Sequence, residues 1–342
     1  MRSDRLGRIH RIQQPALEQL ELARDYEVLK VLGEGCFAQV LLARHRRSGT
    51  TVVLKAVHVE LARLSDFHRE HHYSYHLSPH PAILSAYSVA FRTERSYVFA
   101  QEFAPLGDLA GNVRAGGLGE PACKHVARQL SSALEFVHSQ DLVHGDLKLE
   151  NVLVFAADMS RVKLCDFGST RRAGSLVSRT ATGCAWQPFL PPEVCDAVGG
   201  ERYPCRAAAD CWQLGIALQV CLTGCPPWRC ADAVRDARYA AFLRWQRRRT
   251  THVPRQFHAH APRLLRLLRR LLEPCEEKRA AAGEVAKYLR DAWLQGRAPP
   301  SPSPGPARAT ASNPLDRKMA AGRVWEWLLA CDGSAEPGVE GV

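Results

Sequence analysis

The sequence predicts an α+β chain in which a β-rich part of about 80 residues precedes a larger, mostly helical part. Three observations carry this. Over 26–59 and 85–103 apolar and polar residues alternate in strand-like fashion. From Gly107 onward the apolar residues recur at helical spacing instead. The run "GRAPPSPSPGPAR" (296–308) is too rich in Pro and Ser to join a packed core, so it reads as a linker or recognition segment.

The elements follow in chain order. "YEVLKVLGEG", "AQVLLARHR" and "TTVVLKAVHV" read as three strands, with a turn at Ser48-Gly49. Residues 60–77 read as a helix in which Leu61, Leu64, Phe67 and Tyr73 interleave with His and charged residues. Strand patterning returns in "SAYSVAFRTERSYVFAQEF" (85–103). Residues 120–139 place Val126, Leu130, Leu134 and Val137 on one helical stripe. Further helices are expected over 208–222, 236–247, 261–273 and 281–294. Beyond the linker, "DRKMAAGRVWEWLLAC" (316–331) fits one short amphipathic helix through Met319, Val324, Trp325, Leu328 and Leu329. The chain thus divides into an N-terminal extension (1–25), a folded region (26–294, with lobes meeting near 103/104) and a tail (295–342).

Composition narrows the class. With 342 residues and 46% hydrophobic content, the chain can bury one large core or two modest ones. No apolar run reaches about 18 residues, so no membrane span is expected. The N-terminus "MRSDRLGRIHRIQQ" is polar throughout and lacks a secretory apolar region. The 12 cysteines then read as reduced thiols, and the expected location is cytoplasmic. Cys205, Cys211, Cys221, Cys225 and Cys230 bunch together without paired zinc spacing, which favours core packing over metal. The net charge of +11 raises nucleic acid as a partner. Its excess falls in "RWQRRRT" and "RLLRLLRR", where Leu264, Leu265, Leu267, Leu268, Leu271 and Leu272 mark a buried face and Arg263, Arg266 and Arg270 a solvated one. No zinc-finger, RNP-like or basic-zipper pattern supports base reading, so a nucleic-acid partner is disfavoured.

The chemistry lies in "LVHGDLKLENVLV" (142–154) and "VKLCDFG" (162–168). H-x-D-x-K-x-x-N followed by a strand ending in D-F-G is the protein-kinase catalytic arrangement. Phosphoryl transfer needs positioning and charge neutralisation more than covalent chemistry. Asp146 is placed to orient a substrate hydroxyl and accept its proton. Lys148, two residues on, reaches the γ-phosphate; a cation about 4 Å away gains roughly 4 kcal/mol at an effective dielectric near 20. Asn151 and Asp166 supply hard oxygens for Mg²⁺.

Upstream, Leu32, Gly33, Glu34, Gly35, Cys36, Phe37, Ala38, Gln39 and Val40 form a glycine-rich loop whose Gly33 and Gly35 let the backbone approach phosphates. The usual third glycine is Ala38 here, so this loop alone is a weak signal. Lys55, on "TVVLK", is expected to hold the α- and β-phosphates of ATP. Glu70 is its expected partner from the following helix; Glu60 lies too near in sequence for a crossing helix. "PPE" (191–193), "DCWQLG" (210–215) and Arg279 in "EPCEEKR" complete the series, with Arg279 the expected partner of Glu193.

Residues 26–294 therefore resemble a eukaryotic protein kinase, and Lys148 resembles the serine/threonine form of the catalytic loop. "RVKLCDFGSTRRAGS", "PPEVC", "CLTGCPPW" and "FLRWQ", with the Pro-rich tail, resemble the Src-homology-3-domain-binding serine/threonine kinases. The resemblance implies a bilobal fold, with a small antiparallel β-rich lobe carrying one main helix and a larger helical lobe. It implies ATP and Mg²⁺ as cofactors and protein substrates. It also implies a hinge at Glu102, Phe103 and Ala104 that grips adenine through backbone groups, with Gln101 as gatekeeper and Asp108 facing the ribose. A polyproline helix at 299–306 would dock an aromatic groove of a Src-homology-3 domain.

Several positions depart from that pattern. Gly145 replaces the Arg that usually precedes the catalytic Asp and pairs with a phosphorylated loop, so activity is expected not to depend on loop phosphorylation. Trp186 stands where a Thr usually bonds the catalytic Asp and Lys, with Thr182 the nearest substitute; Leu149 replaces a Pro; Val53 narrows the adenine pocket. A pseudokinase scaffold is therefore the alternative. It is opposed by the retention of Lys55, Asp146, Lys148, Asn151 and Asp166.

Overall fold

The computed structural model describes residues 9–35, 37–178, 187–196 and 200–295. The expectations for Cys36, Thr182, Trp186, the Pro-rich run and the helix at 316–331 lie outside the described residues.

After a short helical turn α1 (Leu22–Asp25), strands β1 (Tyr26–Glu34), β2 (Ala38–His45) and β3 (Thr51–His58) pair antiparallel. Helix α2 (Leu64–Leu77) follows, then β4 (Ala86–Arg92) and β5 (Ser96–Gln101). The sheet order is β1-β2-β3-β5-β4. This register sets Val40 and Phe99 on either side of Lys55, and Gln101 opposite Val53. Helix α2 packs on the sheet through Phe67, which is buried with Val57 and Phe99.

Helix α2 starts at Leu64, four residues later than the spacing predicts. The N–H groups of Leu61 and Ala62 both turn back to the His58 carbonyl, and Arg63 is extended. Leu61, counted as a helical apolar residue, is 54% exposed on that turn.

The second lobe begins at α3 (Leu109–Asn112), capped by the Asp108 carboxylate, which accepts the Gly111 N–H at 2.7 Å. Its central helix α4 (Glu120–Ser139) buries the predicted stripe Val126, Leu130, Leu134 and Val137 completely. Each such side chain contributes about 1.5–3 kcal/mol. Short ladders follow: β6 (Leu142–Val143) with β9 (Arg171–Arg172), β7 (Val152–Val154) with β8 (Val162–Leu164), and β10 (Leu176–Ser178) with β11 (Arg202–Pro204). Then come α5 (Pro192–Cys195), the buried helix α6 (Ala207–Thr223), α7 (Ala237–Gln246) and α8 (Pro262–Leu271). Trp212, Trp228, Tyr239, Phe242, Trp245 and Phe257 stack edge and face around α6, with Trp228 at 4.9 Å from Phe242.

The expected helix at 281–294 is instead a 3₁₀ segment, Ala282–Tyr288. The Tyr288 carbonyl goes to the Asp291 N–H and the Trp293 indole at 2.8 Å, which turns the chain and buries Trp293. On α8 the leucines face inward, while Arg263 pairs with Asp291 and Arg270 with Glu284. Cys205, Cys211, Cys221 and Cys230 are buried and Cys225 is half-buried. Among the described residues no helix is long and apolar enough to cross a membrane.

The lobes meet where the stretch before β4 pairs with β8: Leu84 N–H donates to the Leu164 carbonyl and Leu164 N–H to the Ala82 carbonyl. Beside it, the Glu102 carboxylate accepts the Ser85 N–H at 2.6 Å and forms an ion pair with Lys163 of β8.

Candidate active site

A cleft of about 340 Å³ lies between the lobes. Leu32, Gly33 and Val40 line it from β1 and β2, Val53 and Lys55 from β3, and Gln101, Glu102, Phe103, Ala104 and Asp108 from the connection between the lobes. Asn151, Leu153, Cys165 and Asp166 form its floor. Of the other described loop residues, Glu34, Gly35, Phe37, Ala38 and Gln39 stand outside these walls. Gly35 N–H donates to the Ala38 carbonyl and closes the hairpin, leaving Phe37 59% exposed, with Glu34, Ala38 and Gln39 beside it. Among the described loop residues, Leu32, Gly33 and Val40 are the ones that line the cleft.

Lys55 is the point where the lobes converge chemically. Its ammonium lies 2.5 Å from Glu70 Oε1 and 3.2 Å from Asp166 Oδ1. Burial opposes its charge, but Asp166 and Glu70 together raise its pKa, so it stays an ammonium. The neighbouring Lys55 in turn holds Asp166 below the usual carboxylate range despite burial. Burial pushes Glu70 up against the pull of Lys55, with Asp166 adding to the rise. Asp166 is left-handed (φ 63°) and accepts the Gly168 N–H. A Cβ on Gly168 would lie 3.3 Å from both Asp166 Oδ1 and Glu70 Oε2, so glycine lets the helix α2 and this turn close on each other.

The catalytic-loop residues hang from the second lobe. Buried Asp210 of α6 accepts the N–H groups of His144 and Gly145, each at 2.8 Å, and the His138 ring at 2.9 Å. Burial works against its charge, yet these donors keep its pKa lowered. Leu147 N–H donates to Gln213 Oε1. The His144 ring accepts the Asp146 N–H on Nδ1, so its Nε2–H donates to the Cys165 carbonyl and ties this loop to the D-F-G turn. The ring also meets Phe167 edge-on at 5.1 Å.

Asp146, Lys148 and Asn151 form one constellation. Lys148 Nζ lies 2.8 Å from Asp146 Oδ2, and the Asn151 amide donates to both the carbonyl and Oδ2 of Asp146. Both of these side-chain bonds fall on Asp146 Oδ2, and Oδ1 has no hydrogen-bond partner among the described residues. Asn151 Oδ1 and Asp166 Oδ2 likewise have none, leaving two hard oxygens at the cleft floor, the donor set a small divalent cation takes.

The departures from the common pattern have local physical settings. Gly145 has φ 81°, and a Cβ there would lie 3.1 Å from the Ser169 carbonyl oxygen, so a side chain at this position is strained. The expected pair of Arg279 and Glu193 is present as a bidentate bridge at 2.7 and 2.8 Å, with the guanidinium over Trp212.

Some residues of the site escaped sequence reading. Lys30 and Leu42 line the cleft two positions from Leu32 and Val40, so the strand period of two carried their signal. Lys163, which engages Glu102, had no local signal.

Comparison with known proteins agrees with this geometry. The family model described as "protein kinase domain" matches residues 26–293. The chain is 44% identical to serine/threonine-protein kinase meng-po of Drosophila melanogaster over 368 aligned residues, covering 98% of this chain and 80% of that one. It is 40% identical to serine/threonine-protein kinase SBK1 of Danio rerio, covering 81% of this chain and 71% of that one. With SBK1 of Mus musculus the identity is 37%, covering 87% and 73%. The chain therefore belongs to the protein kinase family, among its serine/threonine members.

Proposed function

We propose that the chain transfers the γ-phosphoryl group of ATP to Ser or Thr hydroxyls of protein substrates, in a Mg²⁺-dependent reaction. The observation that carries this is the convergence of Lys55, Glu70 and Asp166 above an Asp146 whose Oδ1 is open. Asn151 and Asp166 would hold Mg²⁺, which would supply neutralisation of the phosphate charge. Lys55, kept charged and aimed by Glu70, binds and orients the nucleotide phosphates. The backbone of Glu102 and Ala104 grips adenine, while the Glu102 carboxylate is already occupied by Ser85 and Lys163. Asp146 Oδ1 accepts the proton of the substrate hydroxyl as its oxygen bonds to the γ-phosphorus and the bond to the β-phosphate oxygen breaks. Lys148, held 2.8 Å from Asp146, faces the charge of the transferring group.

The retained constellation supports turnover over the pseudokinase alternative. Label from [γ-³²P]ATP should appear on a generic basic protein with the wild type and not with Asp146→Asn or Lys55→Met. Equal labelling by all three would remove the enzyme reading. The likeness to the SBK kinases supports a Src-homology-3 partner for 296–308, and the cysteine usage supports a cytoplasmic location.

A further inference from the structure

Residues 9–20 cross three parts of the fold. Ile9 is 6% exposed and shares a buried cluster with Tyr73 and Leu77 of α2; Ile12 packs against the same cluster. Leu17 packs on Val57, Phe67 and Phe99, where α2 meets the sheet. Glu18 and Leu20 bracket β4: Arg92 N–H donates to the Glu18 carbonyl and Leu20 N–H to the Arg92 carbonyl, both at 2.9 Å. At the other end, His10 sits in the field of Arg172 and Asp141 of the large lobe. The segment is therefore a strap laid along the back of α2.

His72 fastens it. The Gln13 N–H donates to His72 Nδ1 at 3.3 Å, so that nitrogen is bare, and the proton on Nε2 donates to the Ile9 carbonyl at 2.9 Å. One neutral tautomer satisfies both bonds. The ring is 3% exposed, and it lies two residues beyond Glu70 on the same helix. Nothing in phosphoryl transfer uses this ring, yet it is buried, oriented and bonded at both nitrogens.

We propose that residues 9–20 are a built-in activator of the kinase, and that His72 is the positioning residue through which the strap holds α2 so that Glu70 reaches Lys55. This rests on the phosphotransfer reading for its functional consequence, though not for its structural one. The strap is an apolar and hydrogen-bonded brace on the helix that carries Glu70. His72 does not touch substrate.

The test uses the full chain with His72→Phe, which keeps the ring shape and removes both bonds, His72→Gln, which keeps a donor for the Ile9 carbonyl, and Ile9→Asp. Phosphotransfer is expected to fall about tenfold in His72→Phe and Ile9→Asp. His72→Gln should recover part of it. Hydrogen exchange should quicken in 64–77 while α4 keeps its protection. That exchange pattern is readable without turnover, so an inactive wild type would sink the proposed function and leave the strap tested. Unchanged exchange in 64–77, or an equal rise across both lobes, would overturn the strap; so would full activity in both disrupted variants.

Discussion

Asp210 holds Gly145 by its backbone N–H, at 2.8 Å, across 65 residues of sequence. The same carboxylate takes the His144 N–H, so the peptide before Asp146 is suspended from the large lobe's buried helix rather than from its own neighbours. Asp210→Asn keeps the shape but turns an amide N–H₂ toward backbone donors. Stability should fall by about 1–3 kcal/mol. Phosphotransfer should fall by more than the folded fraction does, as judged by chemical denaturation alongside label transfer.

The bridge between Arg279 and Glu193 tests geometry against charge. The Arg279 side chain is fully buried, and lysine would keep the charge while losing the second hydrogen bond and the stacking on Trp212. Arg279→Lys is expected to cost about 2 kcal/mol and Arg279→Ala about 3–5 kcal/mol, the cost of stranding a buried partner. Midpoints of urea unfolding order the two; equal midpoints would show that the fork geometry is irrelevant.

His260 gives a pH signature. Its Nε2 lies 2.7 Å from Gln219 Oε1 while the Gln219 amide donates to the Gln256 carbonyl, so the ring is a neutral donor. Burial pushes its pKa down to about 4. The unfolded chain binds a proton here near pH 6.5 and the folded chain does not, so stability from this site is whole above that pH and is lost as pH falls toward 4. His260→Gln should flatten this part of the curve of melting temperature against pH.

Gly145 removes the side chain that a loop phosphate would answer. Treatment of the pure protein with phosphatase should therefore leave its rate of transfer unchanged. Gly145→Arg should destabilise by about 1–2 kcal/mol because of the left-handed backbone. Loss of activity on dephosphorylation would show that another cation receives the phosphate.

Local periodicity made most elements legible. The α4 stripe is read correctly because all four of its marker residues face one core. Errors came where a nearby side chain competes for a backbone bond, as the Trp293 indole, five residues on, does for the Tyr288 carbonyl. The Lys55, Asp146 and Asp166 positions were legible because the proposed phosphoryl transfer fixes residue type and spacing together. Glu70, the partner of Lys55, was legible too, but the supports around the site were less so. Lys163 looks like any strand lysine, and Ile9, Ile12, Leu17 and Leu20 follow no single period because the strap crosses a helix and then a sheet edge.

The carboxylate of Glu102 is shared between Ser85, at the root of the small lobe, and Lys163, within the large one. If nucleotide enters and leaves the cleft as proposed, an ionic joint at the connection acts as an axle rather than a flexible tether when the two halves part. Loosening it, as in Lys163→Met, would free the halves to shear and should speed ADP departure at the expense of how accurately the next ATP is seated.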